Sequence, residues 1–249
     1  MARLVFMGTG AGDRGMLCQD IATSSLYLQM DGLSFIIDPG PGTLVNAARF
    51  GIHLEHLDGI VLSHPHPDHS ADVNCLVDAL AGKNSFLLAN SLCLDGNESY
   101  YPVIQKYQQS VPALVKGLVY GESVQIGTIT FSAIENPHLD CGMGFLIQGS
   151  RTVGYVGDGT LEGVAKYYSD VDVMILNLLY PRSFPGVPHV HASFECAVDF
   201  LRATVPGKAY IQHYSMQMLE AGPEQQAELL TQASGVSVKA AHDGYEVQF

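Results

Sequence analysis

The sequence predicts an α/β protein in which two sheets pack together with helices outside. Three observations carry that expectation. Short runs of β-branched and aromatic residues alternate with helical patterns across all 249 residues, the strands fall into an early and a late series, and no proline- or serine-rich linker or fixed-period repeat divides the chain. A single domain spanning residues 1–249 is the simplest organisation for that length.

In chain order, Arg3 to Met7, Ser24 to Met30 and Leu33 to Ile37 read as strands, with Asp31-Gly32 as the hairpin turn between the last two. Thr43 to Phe50 reads as a short helix after Pro41-Gly42, with Thr43 as its cap. Gly59 to Leu62 is a short buried strand. A helix is expected over Ser70 to Leu80 and a strand over Ser85 to Ala89. Asn90 to Val119 is the least legible stretch, with a helix expected around Val103 to Gln109. Ser123 to Ile126, Thr128 to Ile134, Gly144 to Gln148 and Thr152 to Val156 form the second, antiparallel series. Helices follow at Leu161 to Tyr168, Ala192 to Ala203 and Pro223 to Ala233, the last opening on a proline at a tolerated first-turn position. Strands are expected at Val171 to Leu176 and Lys208 to Gln212.

Composition narrows the partners. Twelve basic against twenty-five acidic side chains give a formal charge of −13, a mean field that repels tRNA, DNA and anionic lipid. Apolar runs are short and broken, so no membrane-spanning segment is expected, and Met1 to Met7 leads into a glycine-rich turn rather than a secretory signal. Five cysteines at wide, irregular separations, Cys18, Cys75, Cys93, Cys141 and Cys196, argue against a disulfide framework and for a reducing, cytoplasmic setting.

The chemistry concentrates in His64-Pro65-His66-Pro67-Asp68-His69, which follows an apolar strand. Proline fixes φ and holds the residue before it extended, so the run reads as a rigid extended loop that aims its side chains at one point. Imidazole and carboxylate suit zinc, and manganese or iron accept the same donors. Six residues cannot surround two ions, and three other strand ends offer ligands: His138 after Thr128 to Ile134, Asp158 between Gly157 and Gly159, and His213 after Lys208 to Gln212. A histidine-rich surface loop is the bland alternative, and it does not account for four such strand ends.

These residues resemble the metallo-β-lactamase fold superfamily, whose HxHxDH signature is met by His64, His66, Asp68 and His69. The resemblance implies a four-layer αβ/βα sandwich and two divalent metal ions. By it, His64, His66 and His138 hold one ion, Asp68, His69 and His213 hold the other, and Asp158 bridges them. Asp38 matches the superfamily's early aspartate, which supports the site through hydrogen bonds. Phe6-Met7-Gly8-Thr9-Gly10, and His191-Ala192-Ser193 ahead of Ile211-Gln212-His213, are similar to the ribonuclease Z and small-phosphodiesterase branch. There His191 takes the place of a phosphate-contacting or proton-donating histidine, with His189 as the alternative.

One departure matters. Bacterial ribonuclease Z enzymes carry a tRNA-gripping arm between the ligands matching His138 and Asp158, and residues 139–157 leave no space for one. Cleavage of a small phosphodiester is therefore expected over tRNA processing, by a hydroxide shared between the ions, with Asp158 orienting it and His191 protonating the leaving oxygen. Arg182 could bind a second charged group, and Tyr180 with Phe184 could form an aromatic wall. Lactone or thioester hydrolysis, RNA cleavage and a non-hydrolytic metal module are the competing readings. An electron-transfer role is disfavoured, because the iron-binding variant of the signature carries glutamate where His66 stands.

Overall fold

A computed structural model describes residues 1–12, 14–183 and 190–249. The chain divides into two compact units, residues Met1–Val119 with His242–Phe249, and Tyr120–Ala241. Fourteen strands occur among the described residues. They are β1 (Arg3–Gly8), β2 (Ser25–Met30), β3 (Leu33–Ile37), β4 (Gly59–Leu62), β5 (Phe86–Asn90), β6 (Leu114–Leu118), β7 (Ser123–Ile126), β8 (Ile129–Glu135), β9 (Met143–Gln148), β10 (Thr152–Val156), β11 (Val173–Asn177), β12 (Lys208–Gln212), β13 (Val238–Ala240) and β14 (Tyr245–Gln248). The helices are α1 (Arg14–Cys18), α2 (Thr43–Arg49), α3 (Pro67–Ser70), α4 (Val73–Leu76), α5 (Ser91–Asp95), α6 (Phe194–Thr204), α7 (Met216–Ala221) and α8 (Pro223–Ser234).

Each unit holds one seven-stranded mixed sheet. The first runs β14-β1-β2-β3-β4-β5-β6 and the second β13-β12-β11-β10-β9-β8-β7. In the first, β14 to β3 pair antiparallel and β3 to β6 parallel. In the second, β7 to β10 are antiparallel and β10 to β13 parallel. The fold is thus α/β with two mixed sheets flanked by helices, consistent with an αβ/βα sandwich.

Parallel strands need both faces covered, and their sequences show it. All four residues of β4 and all five of β11 are buried. One face of the first sheet, with Val5, Met7, Ile36, Ile60, Leu62, Leu87 and Ala89, packs under Ala47 of α2 and Val73, Leu76, Val77 and Leu80. The Asp31-Gly32 hairpin forms as expected, both residues having positive φ (51° and 81°), the geometry a two-residue turn requires.

Several elements differ from expectation. The helix expected over Ser70 to Leu80 is broken into α3, α4 and a 3₁₀ turn at Val77–Leu80. The Asp72 amide donates to the Pro39 carbonyl and its carboxylate accepts from the Leu44 amide, which diverts the backbone from a continuous ladder. Leu161 to Tyr168 holds turns and a 3₁₀ segment at Ala165–Tyr167, since Leu161 and Gly163 both have positive φ. Around Val103 only Gln108–Ser110 is helical, because the amides of Val103 and Ile104 both donate to the Cys93 carbonyl. Thr43 does not cap α2; Gly42 does, and the Thr43 hydroxyl donates back to the Gly40 carbonyl at 2.7 Å. β6, β13, β14, α1, α5 and α7 had no sequence signal of their own.

In the first unit Asp243, just before β14, ties the glycine-rich turn down. Its carboxylate accepts from the amide and hydroxyl of Thr9, both at 2.9 Å, and from the Ala22 amide at 2.8 Å. Burial raises its pKa above the ordinary range despite those bonds.

In the second unit Tyr168 is fully buried, donates to the Tyr155 carbonyl at 3.2 Å, and meets Phe200 edge-on with ring centroids 5.9 Å apart. Gly144 makes this possible. A methyl there would collide with the Tyr168 hydroxyl and stand 2.7 Å from the Tyr155 carbonyl oxygen. Gly144→Ala should therefore cost about 1–3 kcal/mol of stability in urea unfolding. Gly15→Ala, whose added carbon meets nothing within 4 Å, should be neutral or stabilising in the same measurement.

Candidate metal centre

In the first unit the histidine run leaves β4 extended and then turns. Pro65 and Pro67 hold the residues before them out of the helical region, and His66 has φ −60° and ψ 142°. Pro67 then opens α3 at the first helical position, where its missing N–H costs nothing. The sequence predicts an extended loop throughout, but the run is extended only as far as His66 and helical from Pro67. His64 and His66 lie on the extended arm, and Asp68 and His69 on a helical turn.

Asp38, buried at the end of β3 with φ 51°, organises these side chains. Its carboxylate accepts from the Ser63 amide at 2.7 Å, the Ser63 hydroxyl at 2.6 Å and His69 Nδ1 at 3.0 Å. Ser63 has one hydroxyl proton, and it goes to Asp38. His64 Nδ1, 2.9 Å from the same oxygen, must then donate its own N–H to Ser63. Both imidazoles are thereby committed to the tautomer that presents the Nε2 lone pair. His69 Nε2 faces Asp68 at 3.5 Å, and His64 Nε2 lies 3.1 Å from His66 Nδ1. His64 and His69 are fully buried, Asp68 nearly so, and His66 half-buried beside Tyr100, ring centroids 6.0 Å apart.

In the second unit the ligand candidates stand past the ends of β8, β10 and β12. His138 Nδ1 donates to the Val190 carbonyl at 2.8 Å, so Nε2 again presents the lone pair, 3.9 Å from Asp158. Asp158 lies between two glycines. Side chains at Gly142 and Gly159 would press on the Asp158 carbonyl and on Asn136. Asp158 Oδ1 accepts from Asn177 Nδ2 at 2.8 Å and lies 3.3 Å from His213 Nε2. Its Oδ2 lies 3.5 Å from His191 Nδ1. His213 has φ 67°, and the left-handed backbone costs a β-carbon residue about 1–2 kcal/mol.

Among the described residues each unit holds a group of potential ligands of its own. Donor atoms of Asp38, His64 and His69 lie within 4.8 Å of one another, as do those of His138, Asp158 and His191. Imidazoles locked to present Nε2 and buried carboxylates are a donor set for a borderline divalent cation, so the residues fit the metal that the sequence implies. His191, expected beside the ligands as a catalytic group, belongs by distance to the second group. Its ring lies 4.5 Å from that of His138 and, stacked, 5.9 Å from that of His213. His189, Phe184 and the rest of residues 184–189 lie outside the described residues.

Tyr180 meets His191 edge-on at 6.3 Å, and Arg182 is exposed. Beside His191 opens a cavity of about 560 Å³ walled by Thr160, Leu161, Glu162, Glu195 and Phe200. Burial pushes the Glu195 carboxyl up, but hydrogen bonds from its own amide, Ser193 and Ser183 outweigh it and hold the group below its ordinary value. Sequence reasoning found every histidine and aspartate of these groups. It missed Ser63, Asn177 and Gln212, whose only advance signal is their place next to a ligand or at the end of a buried strand.

Comparison with known proteins identifies the fold and the family. The profile of the Beta-lactamase superfamily domain matches residues 34–214. An uncharacterized protein of Methanocaldococcus jannaschii, MJ1374, is 27% identical over 98% of this chain and 94% of its own length. Among solved structures, the metallo-beta-lactamase fold protein YhfI of Bacillus subtilis superposes with a TM-score of 0.79 at 18% identity, covering 100% of both chains. A diphosphatase from the PhnP family superposes with a TM-score of 0.68 at 20% identity, over 100% of this chain and 98% of that one. Fold and clustered ligands together support a metal-dependent hydrolase, and the matched span contains the His64 to His69 run, His138, Asp158 and His213. The chain belongs to the metallo-β-lactamase fold superfamily.

Proposed function

We propose that the protein is a dinuclear metal-dependent phosphodiesterase acting on a small phosphodiester, near the ribonuclease Z and small-phosphodiesterase branch. The observation that carries this is the set of buried imidazoles whose hydrogen bonds leave Nε2 presenting the lone pair that can bind metal, with His191 beside His138 and lining a cavity. In this reading residues 1–249 act as one metallo-hydrolase domain. His64, His66 and His138 would hold one ion and Asp68, His69 and His213 the other, with Asp158 available to both. Two divalent cations, zinc first, with manganese or iron suited to the same donors, supply acidified water and positive charge for the developing phosphoryl oxygens.

The chain's own residues do the rest. Asp38 fixes the imidazole tautomers, Asp158 orients what binds beside it, and His191, with Nδ1 turned to Asp158, donates a proton from Nε2 to the leaving oxygen. The cavity carries Glu162, Glu195 and Asp199, which disfavours a polyanionic substrate. Between His138 and Asp158 the chain forms β9, a short turn and β10, with no arm to grip tRNA. The proposed reducing, cytoplasmic setting rests on the wide, irregular spacing of the five cysteines, and no described helix is long and apolar enough to cross a membrane.

A panel of cyclic nucleotides, other small phosphodiesters, lactones, thioesters and precursor tRNA tests the reading. Turnover should be highest on a small diester; a preference for an acyl substrate or single-site tRNA cleavage would replace it. Elemental analysis of protein purified without chelator should approach two ions per chain. Asp68→Ala should lower that occupancy, and Asp158→Ala should impair both ions. His191→Ala should retain metal and lose about 10² to 10⁴ in turnover on an unactivated diester, but far less on bis(p-nitrophenyl) phosphate, whose leaving group departs without a proton. Equal losses on both would remove the proton-donor role, and metal loss would make His191 a ligand.

A further inference from the structure

Asn177 and Gln212 are the last residues of adjacent parallel strands, directly opposite each other in the β11–β12 register. Both are buried, Gln212 completely. Gln212 Nε2 donates to Asn177 Oδ1 at 2.9 Å, and Asn177 Nδ2 donates to Asp158 Oδ1 at 2.8 Å. The second Asn177 N–H points to Tyr155 Oη, 3.4 Å away. At the far end Gln212 Oε1 is buried and has no hydrogen-bond partner among the described residues.

The direction of this chain follows from the charge at its start. An ionised carboxylate only accepts, so Asn177 must turn its NH₂ to Asp158 and its oxygen to Gln212. Gln212 must then turn its own NH₂ to Asn177, which leaves its oxygen with no donor among the described residues. Reversing either amide would set oxygen against oxygen. A buried, unsatisfied amide oxygen destabilises a fold, and an apolar side chain of the same shape would avoid that cost. Gln212 is therefore poorly explained by stability and well explained by what it does to Asn177.

We infer that Asn177, oriented by Gln212, is a positioning residue that holds the Asp158 carboxylate in the rotamer needed to bind metal. The inference rests on the proposed role of Asp158 as a ligand. Outer partners of this kind change metal affinity without touching the ion.

The test uses the full chain loaded with zinc, competed against a chromogenic chelator, alongside thermal unfolding of the metal-free protein. Asn177→Leu keeps the length of the side chain and removes its donor; it should weaken zinc binding about 10- to 100-fold. Gln212→Met should weaken it less, while leaving the metal-free melting temperature unchanged or higher. In the Asn177→Leu background, Gln212→Met should add no further loss, because it acts only through Asn177. A role confined to packing predicts the reverse pattern, with stability lost and affinity kept. Zinc affinity within twofold of wild type in both single variants, or losses that multiply in the double variant, would overturn the inference while leaving the metallo-hydrolase reading intact. Wild-type protein that binds no zinc, or an Asp158→Asn variant that binds it as wild type does, would instead break the ligand assignment from which the inference starts.

Discussion

The contact between Asp38 and Ser63 is the interaction on which the first unit's chemistry depends. Asp38 follows β3, its amide bonded to the Val61 carbonyl of neighbouring β4, so the strand pairing itself carries the carboxylate to the start of the histidine run. There it takes the amide and hydroxyl protons of Ser63 and the Nδ1 proton of His69. One buried charge thus settles the protonation of two imidazoles, directly for His69 and through a hydroxyl for His64. The prolines control where the backbone goes, but they have no influence on which ring nitrogen is left basic.

The second unit reaches the same result with different groups. A main-chain carbonyl, that of Val190, accepts from His138 Nδ1 and fixes its tautomer, and a pair of strand-end amides leads to the Asp158 carboxylate. Three parallel strands end side by side here, and in open α/β sheets ligands bind beyond the carboxyl ends of such strands. The glycines around Asp158 are part of this design. A β-carbon at Gly142 would press on the carbonyls of Asn136 and Asp158, one at Gly157 on the Met143 carbonyl, and one at Gly159 on the Asn136 side chain.

Both sheets and most of their strands were legible because their residues are buried on two faces and read as short apolar runs, β4 and β12 to the residue. The ligand candidates were legible because histidine and aspartate are rare at strand ends unless they have work there. What escaped was set by contacts distant in sequence. β6 has a mixed burial pattern at an edge, β13 is three residues long, and the break between α3 and α4 is imposed by Pro39 and Leu44, some thirty positions away. Asn177 and Gln212 look like ordinary polar punctuation until the register sets them opposite each other. Composition could not have revealed the polarity of their amides, which the carboxylate dictates.

The pairing of β14 with β1 makes the first unit discontinuous, since residues 120–241 of the second intervene between its parts. As the chain leaves the ribosome, β1 can meet β2 within some twenty residues, but its other edge stays open until the second unit has been synthesised. An unpaired edge on a buried strand is a template for wrong partners. The Asp243 carboxylate that secures the Thr9 turn arrives equally late. The second unit, contiguous in sequence, can fold without waiting, whereas the first depends on a contact spanning nearly the whole chain, the kind of closure that slows folding. The glycine-rich turn is therefore made before the second unit and locked in place after it.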